Sequence, residues 1–389
     1  KHDVHVYAYA GGNSPNCSAD IERYGLSGKV FYSTDGREEI PTNKLKRLVK
    51  ACGILGEFKT KRAWNFLRTL NVAKYGMAAA SLSLFYEAAA FMRNGPYDIV
   101  HCHFGQTGNI GAMLKEIGVI HGKVITTFYG YDLSEYIQKN GLKAYELLFS
   151  RGDVLVAISE IMKDRLIQLG CRKDKVVVHR LGVDMSRFNF SPRRPVKCGE
   201  LQVLTVGRFV EKKGLEFGIR AVAQLVKEFP GIVYRIIGDG ELKDEITQLI
   251  TRLNVGEHIQ LLGWRKPKEV ARYMGEADVF LAPSVTSSNG DQEGTPTVII
   301  EALARGVPVL GTFHSGIPEL IQDHKSGFLV PERDAEAIAQ KLQYLCQHPD
   351  ICAEMGRVGR DWVEQFHDIN KLNDQLVNLY ERELRKSPR

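Results

Sequence analysis

The strongest constraint on the fold is an alternation along the whole chain between short apolar runs rich in β-branched residues and longer amphipathic stretches. Such alternation is typical of parallel sheets covered by helices. The predicted strands are residues 3–10, 29–34, 98–104, 123–128, 154–159 and 175–181, then 201–206, 233–237, 258–262, 279–282, 308–311 and 327–330. The longest helix between them is predicted from 64 to 93, and the tail from 350 to 385 is predicted to be helical.

Two domains follow from this pattern. Residues 188–195 contain two prolines and no periodicity, which indicates a hinge between the two series of strands. The predicted fold class is α/β, with two Rossmann-like, doubly wound domains, residues 1–190 and 198–365, that face each other across a cleft. Residues 366–389 are expected to form a helix that packs back on the N-terminal domain. Ligands of such sheets bind at the carboxyl ends of the strands, so candidate residues are sought directly after each strand.

The cysteines and the apolar runs indicate the compartment. Seven cysteines are scattered without any C-x-x-C spacing, which favours a reducing, cytoplasmic location and argues against structural zinc. No apolar run approaches the roughly 20 residues that span a bilayer.

Positive charge is concentrated in the first half of the chain. Residues 1–197 carry 29 basic against 18 acidic side chains, whereas residues 198–389 carry 23 against 28. Within residues 44–74, nine basic residues are opposed only by Glu57, and apolar residues are interleaved. This composition suits an anionic membrane surface and equally a solvated helix face. Nucleic acid binding is not indicated, because the chain shows neither a base-stacking platform nor a helix-turn-helix.

The most informative stretch of the second half runs from Ser284 to Gly306. Thr295 is predicted to be an N-cap, Pro296 the first helical residue and Gly306 the residue past the end, which gives a helix of about three turns. The free backbone N–H groups at the start of such a helix bind anions, so Gly294, Thr295 and Thr297 are candidate ligands of a diphosphate.

Two glutamates flank this helix start. Glu301 is placed deeper on the helix, where a carboxylate can accept both hydroxyls of a ribose. Glu293 is placed on the preceding loop, level with a phosphate and a sugar. Two glutamates at this spacing are common by chance on a surface, but the cap between them and the strand before them favour a site.

Cations and glycines follow the first strands of the second half. Arg208 and Lys213 come after the strand 201–206 and are predicted to balance a diphosphate, with a surface salt bridge as the alternative interpretation. Gly207 and Gly238 are predicted to let a backbone approach a ligand closely. No strand is followed by a dinucleotide fingerprint or a Walker lysine motif, which argues against oxidoreductases and P-loop proteins.

These motifs together resemble the retaining GT-B glycosyltransferases of family 4. The motifs are Gly207-Arg208-Phe209, Lys213-Gly214, Gly238-Asp239-Gly240, Gly263, Glu293-Gly294-Thr295-Pro296, Glu301 and Gly306-Val307-Pro308-Val309. The loop from Ser287 to Glu293 and the run from His314 to Leu320 resemble the bacterial exopolysaccharide branch, of colanic acid type. The resemblance spans nearly the whole chain.

The resemblance implies a hexosyltransferase that works without metal or cofactor, by front-face substitution with retention. Arg208 and Lys213 would stabilise the departing nucleoside diphosphate, Glu301 would hold the ribose, and Glu293 would contact the donor sugar. The base would lie against the segment from Gly263 to Arg265. The donor would be a nucleotide-sugar, with UDP favoured over GDP. The acceptor would be a saccharide or a polyprenyl-linked sugar at the cytoplasmic membrane face.

The first half contributes two residues to the predicted acceptor or sugar side, His103 and Tyr129, with a packed core histidine as the equal alternative for His103. Tyr129 departs from the family pattern, because relatives commonly have a histidine there. Relatives also have a strand and helix before the strand 3–10, so we expect such a segment to be missing from this sequence. Two alternatives stay open: a nucleotide-binding relative with impaired catalysis, which Tyr129 motivates, and a GT-B sugar epimerase.

Overall fold

The structure of the protein, a computed structural model, describes residues 2–8, 18–26, 28–32, 40–41, 43–58, 60–190 and 199–386. The chain forms two compact units. The first unit comprises Lys1–Cys102, Gln106–Ile125 and Leu147–Asp153. The second comprises His103–Gly105, Thr126–Glu146 and Val154–Arg389. The predicted domain boundary at 190–198 stays a prediction, because residues 191–198 lie outside the described residues.

The elements of the first half follow the predicted alternation, with one exception. They are, in chain order, β1 Val6–Ala8, α1 Ser18–Arg23, β2 Val30–Tyr32, α2 Lys44–Glu57, α3 Thr60–Thr69, α4 Val72–Ala80, α5 Ser83–Asn94, β3 Ile99–His103, α6 Gly105–Ile117, β4 Lys123–Phe128, α7 Glu135–Asn140, α8 Glu146–Arg151, β5 Val154–Ala157, α9 Glu160–Gln168 and β6 Val176–Val178.

The exception is the long helix predicted from 64 to 93, which is wrong. The segment forms α3, α4 and α5 instead. Asn71 begins α4 by accepting a hydrogen bond from the N–H of Lys74, as an N-cap does. Leu82 has a left-handed backbone with φ of 58° and separates α4 from α5. A left-handed leucine has no sequence signal, so the second break could not be predicted.

The second half alternates as predicted and ends in helices. Its elements are β7 Glu200–Val206, α10 Leu215–Leu225, β8 Gly231–Ile237, α11 Lys243–Leu253, β9 Ile259–Gly263, α12 Pro267–Glu276, β10 Val279–Ala282, α13 Thr297–Ala304, β11 Val309–Thr312, β12 Gly327–Val330, α14 Ala335–Gln347, α15 Ile351–Phe366 and α16 Ile369–Arg385. Each of the predicted strands thus has an observed counterpart. The predicted helical tail without a further strand is also confirmed.

The strand orders confirm the predicted fold class. The six-stranded sheet has the order β12-β11-β10-β7-β8-β9, and its neighbouring strands are parallel. Counted from β7, this is the Rossmann order, in which the chain builds outward from the centre in both directions. The strands of the first half form a four-stranded sheet of order β3-β4-β5-β6 and a parallel pair of β1 and β2.

Helices cover both faces of the six-stranded sheet. Val203 of β7 packs into one apolar cluster with α10, α11 and α14, whereas its neighbour Leu204 packs into a second cluster with α13. Successive strand residues face opposite sides, so burial on both faces requires the continuous apolar runs seen in the sequence. The start of α16 packs against the segment after β6, where His179 Nε2 lies 2.9 Å from the carbonyl oxygen of Leu372.

Candidate functional site

The centre of the six-stranded sheet provides the crevice in which ligands of such folds bind. β7 and β10 are neighbours, and the chain leaves them toward opposite edges of the sheet. Loops at the carboxyl ends of two such strands diverge, which opens a crevice at this topological switch point. Residues 207–214 follow β7, and residues 283–296 follow β10. The residues predicted from the sequence for a nucleotide-sugar site lie mainly on these two loops.

Polar pairs join the two loops along their length. The side-chain pairs are Glu211 with Ser288 at 2.7 Å, Lys212 with Asp291 at 2.8 Å, and Lys213 with Glu293 at 2.9 Å. The Val285 N–H also donates to the Lys212 carbonyl oxygen at 2.9 Å. The loops are therefore cross-linked by consecutive residues of the turn after β7.

The pair of Lys213 and Glu293 is the most buried of the three. Glu293 is 8% exposed, and its carboxylate lies 2.9 Å from Lys213 Nζ. A Cβ at position 207 would lie 3.1 Å from Lys213 Cε, so Gly207 leaves room for the lysine alkyl chain. The structure thus brings together the residues predicted for the leaving group and for the donor sugar.

Arg208 differs from Lys213 in its surroundings. Its side chain is exposed, and it has no ion pair with any residue that the structure describes. It lies directly at the carboxyl end of β7, on the loop that also carries Lys213. Its guanidinium is free to bind an anion at this end of the sheet.

The helix after the loop begins later than predicted. α13 starts at Thr297 with Pro296 as its N-cap, so the expectation of Thr295 as N-cap is wrong by one residue. Pro296 has an extended backbone, with ψ of 112°, which excludes it from the helix. The helix has eight residues, or about two turns instead of three. Gly306 follows its end with φ of 73°, as predicted.

A buried polar atom at this helix start lacks a hydrogen-bond partner among the described residues. The Thr295 side chain is buried, and its Oγ1 has no hydrogen-bond partner in the described part of the chain. Buried polar atoms are normally paired, so an orphaned hydroxyl next to a helix N-terminus suits an anionic ligand. Thr297, the first residue of the helix, is exposed.

Glu301 lies one turn further along α13 and is partly buried. Burial raises the pKa of its carboxyl group, and the nearby Arg305 opposes this shift. Burial lowers the pKa of Arg305 in turn. The two residues are four apart on the same helix face.

Close backbone packing explains two of the predicted glycines. A Cβ at Gly294 would lie 1.8 Å from the carbonyl oxygen of Tyr129, and one at Gly238 would lie 1.8 Å from that of Gly207. The sequence predicts that these glycines admit a ligand. The structure shows that they also admit neighbouring backbone segments of the protein, and the approach of a ligand stays a prediction.

Tyr129 and His103 form a pair beside this loop. Tyr129 Oη lies 2.6 Å from His103 Nδ1, and the Phe104 ring packs against Tyr129. Burial raises the pKa of Tyr129, and the charge of Asp132 adds to this shift. Partial burial of the His103 ring lowers its pKa, although part of the side chain reaches solvent. Tyr129, which stands where the family pattern has a histidine, therefore places a phenol next to the imidazole of His103.

Asp132 positions this pair, and sequence reasoning missed it. Its buried carboxylate accepts hydrogen bonds from the backbone N–H groups of Gly130 at 2.8 Å, Tyr129 at 3.1 Å and Gly105 at 3.1 Å. Burial raises its pKa, and these N–H groups oppose the shift. The bonds from Tyr129 and Gly130 run back along the chain, so they are not the Asx turn that a local pattern predicts, and the bond from Gly105 has no local signal either.

The segment predicted to hold the base lies apart from the Lys213–Glu293 pair. Gly263 ends β9, an edge strand that is separated from β7 by β8. Trp264 is 65% exposed, and the nearest ion-pair partner of Arg265 is Glu269 at 3.9 Å. Among the described residues, no hydrogen bond or ion pair joins Arg265 to Lys213 or Glu293.

The basic stretch 44–74 contains a helix with an exposed apolar stripe. Leu45, Leu48, Val49 and Cys52 of α2 are exposed and recur at the spacing of one helix face. We call these four residues the outer stripe of α2. Trp64 and Leu67 of α3 are exposed as well. Within the described ranges, no helix is both long and apolar enough to cross a membrane, and no cluster of three potential metal ligands occurs.

Comparisons with known proteins identify the class of protein to which the Rossmann-type sheet and the cross-linked loops at its switch point belong. Residues 187–362 match the sequence model of the family "Glycosyl transferases group 1", and residues 56–187 match that of "Glycosyltransferase Family 4". The chain therefore belongs to the family 4 glycosyltransferases, whose two domains these models describe.

Two relatives are similar over nearly their whole length. WcaL of Escherichia coli (strain K12), named provisionally as a colanic acid biosynthesis glycosyltransferase, is 38% identical over 97% of this chain and 92% of its own. The amylovoran biosynthesis glycosyltransferase AmsK of Erwinia amylovora is 34% identical over 98% of this chain and 92% of its own.

Solved structures share the fold at lower identity. Anabaena HepE in complex with UDP and glucose has a TM-score of 0.69 and 19% identity, over 98% of this chain and 100% of HepE. Sucrose-phosphate synthase from Thermosynechococcus elongatus has a TM-score of 0.67 and 20% identity, over 81% of this chain and 80% of its own. These structures confirm the GT-B fold.

Proposed function

We propose that the protein is a retaining hexosyltransferase of exopolysaccharide synthesis, which moves a sugar from a UDP-sugar to a saccharide or polyprenyl-linked acceptor. The observation that carries this proposal is the buried pair of Lys213 and Glu293 at the sheet switch point, next to the start of α13. The relatives WcaL and AmsK support the exopolysaccharide assignment by name. HepE, which has been crystallised with UDP-glucose, supports UDP as the nucleotide.

Charge neutralisation in this site is assigned to Arg208 and Lys213. A diphosphate leaving group gains negative charge as the glycosidic bond breaks, and preformed cations stabilise that charge. In this structure Lys213 is balanced by Glu293. The diphosphate replaces the glutamate as the partner of Lys213, and the Glu293 carboxylate then turns to the hydroxyls of the donor sugar. Because protein cations balance the charge, we propose that transfer requires neither a metal nor a cofactor.

The remaining contacts follow the geometry of α13. The backbone N–H groups and the orphaned Thr295 hydroxyl at its start bind the diphosphate, together with Gly294 and Thr297. Glu301, one turn further, accepts the ribose hydroxyls. The acceptor hydroxyl attacks from the face that the diphosphate leaves, and a diphosphate oxygen takes its proton, so the configuration is retained. His103 and Tyr129 bind hydroxyls of the sugar or the acceptor.

A thermal-shift panel of UDP, GDP, ADP and their glucose or mannose conjugates tests nucleotide binding. A ligand at 100 times its Kd stabilises the folded state by about 2.7 kcal/mol, so a true nucleotide raises Tm measurably. We expect UDP and UDP-glucose to give the largest shift and UDP-glucose to be turned over with UDP release. A larger shift with GDP would contradict the choice of nucleotide, and no shift with any nucleotide would refute the function.

Activity measurements on the same samples distinguish a transferase from the two alternatives, a catalytically impaired relative and a sugar epimerase. UDP binding without UDP release or sugar transfer, in the presence of a membrane extract, would indicate a catalytically impaired relative. Conversion of the donor sugar without an acceptor would indicate an epimerase. Tyr129 motivates the first of these alternatives, but its hydrogen bond to His103 keeps an imidazole at this side of the site and favours transfer.

We also propose that the outer stripe of α2 docks the enzyme on the cytoplasmic face of an anionic membrane. Its apolar residues are flanked by the exposed Lys44 and Lys46, which suits an interface of acyl chains and acidic headgroups. In sedimentation with vesicles containing phosphatidylglycerol, Leu48→Glu should lose binding. Leu142→Glu, at a similarly exposed leucine elsewhere, is the matched control. Equal binding by the two variants would refute this surface.

A further inference from the structure

Three consecutive residues, 314–316, form hydrogen bonds with the backbone of the loop that carries Glu293. His314 Nε2 lies 3.0 Å from the backbone nitrogen of Glu293, and Ser315 Oγ donates to the Glu293 carbonyl oxygen at 2.6 Å. Gly316 N–H donates to the carbonyl oxygen of Gly294 at 3.2 Å. The backbone groups before and after the Glu293 side chain are thereby fixed by residues 314–316.

The geometry determines the protonation of His314. A backbone N–H is always a donor, so His314 Nε2 must be the acceptor and carries no proton. The proton of the neutral ring is then on Nδ1, which lies 2.6 Å from the Glu332 carboxylate. An ionised carboxylate can only accept a hydrogen bond, so Glu332 selects the tautomer that the Glu293 N–H requires. The His314 side chain is fully buried, which excludes water as a competing partner.

Glu332 is itself fixed in place. Its carboxylate accepts hydrogen bonds from Thr286 N–H at 2.8 Å and from Thr286 Oγ1 at 3.3 Å. Burial alone would raise its pKa, but the Thr286 N–H and His314 more than offset this and hold the pKa below its usual range. The carboxylate therefore stays ionised near neutral pH, as its role toward His314 requires.

We propose that His314 and Glu332 are positioning residues for sugar transfer, which fix the Glu293 peptide groups so that the Glu293 carboxylate lies within reach of the donor sugar. The inference rests on the proposed role of Glu293 in binding the donor sugar. Neither residue touches the substrate in this arrangement. Their effect is geometric, and a catalytic group displaced by 1 Å costs about 100-fold in rate.

A matched pair of amide substitutions separates positioning from simple stability. In His314→Gln the amide oxygen can reach the position of Nε2 and accept from Glu293 N–H. In His314→Asn the shorter amide reaches only the position of Nδ1, so the contact with Glu332 survives and the one with Glu293 is lost. We expect His314→Asn to lower kcat for UDP release from UDP-glucose by about 100-fold, with KM within about threefold, and His314→Gln to stay within about tenfold.

Equal losses in the two variants, or a loss confined to KM, would overturn the inference. A second measurement needs no activity: in the ¹⁵N spectrum of histidine-labelled protein, the signal that His314→Gln removes should show a protonated Nδ1 and an unprotonated Nε2. A protonated Nε2 would overturn the inference as well. Wild-type protein that neither binds UDP nor releases it from UDP-glucose would refute the proposed function, while the tautomer still decides the role of His314.

Discussion

The contact between Gly294 and Tyr129 makes the addition of a single methyl group informative. A Cβ at position 294 would lie 1.8 Å from the Tyr129 carbonyl oxygen. A carbon atom and a carbonyl oxygen approach no closer than about 3.3 Å, so the two backbone segments must separate by about 1.5 Å in Gly294→Ala. Because the loop of Glu293 moves with Gly294, we expect kcat to fall by at least about 100-fold. Overpacking of this kind costs about 1–3 kcal/mol of stability.

The assay is UDP release from UDP-glucose, with Tm measured on the same samples. Gly256→Ala is the matched control, because its added Cβ meets no atom within 4 Å and the residue is exposed. The control should keep the wild-type kcat. If Gly294→Ala also keeps it, then the spacing between Gly294 and Tyr129 does not set the catalytic geometry, and the reasoning is refuted.

Three further predictions concern individual side chains. Glu301→Ala should mainly raise the Kd for UDP, whereas Glu293→Ala should mainly lower kcat; isothermal titration and steady-state kinetics check this, and the reverse result would overturn the assignment. Asp132→Ala leaves buried N–H groups without an acceptor and should cost about 3 kcal/mol in urea denaturation, whereas Asp132→Asn, which keeps an acceptor, should cost less. Tyr129→Phe should lower kcat about tenfold with little change in Tm, and an unchanged kcat would remove Tyr129 from the site.

Local sequence patterns were sufficient to predict the strands and to place many of the candidate site residues in one crevice. Each strand is an apolar run bounded by polar turns, and the Rossmann rule then places the residues after β7 and β10 in one crevice. Lys213 and Glu293 could be assigned to this crevice without knowledge of their ion pair. The start of α13 was misplaced by one residue because a proline after a threonine normally marks the first helical position, whereas Pro296 is extended and is the N-cap.

Contacts between distant residues could not be predicted. His314 and Glu332 are on segments after β11 and β12, and only the packed sheet brings them behind Glu293. The bond from Asp132 to Gly105 likewise joins the ends of two strands. The packing of Gly294 against Tyr129 could not be predicted for the same reason, since the two residues are far apart in the sequence.

The cross-linking of the two loops limits how a glycosyltransferase of this kind can diversify. Three successive side chains after β7 each have a partner on the loop after β10. An insertion or deletion between the paired residues of one loop would shift the remaining pairs out of register unless the other loop changed length with it. New donor or acceptor preferences are therefore expected to arise by substitution of the His103 and Tyr129 side chains, which leaves the three loop pairs in register.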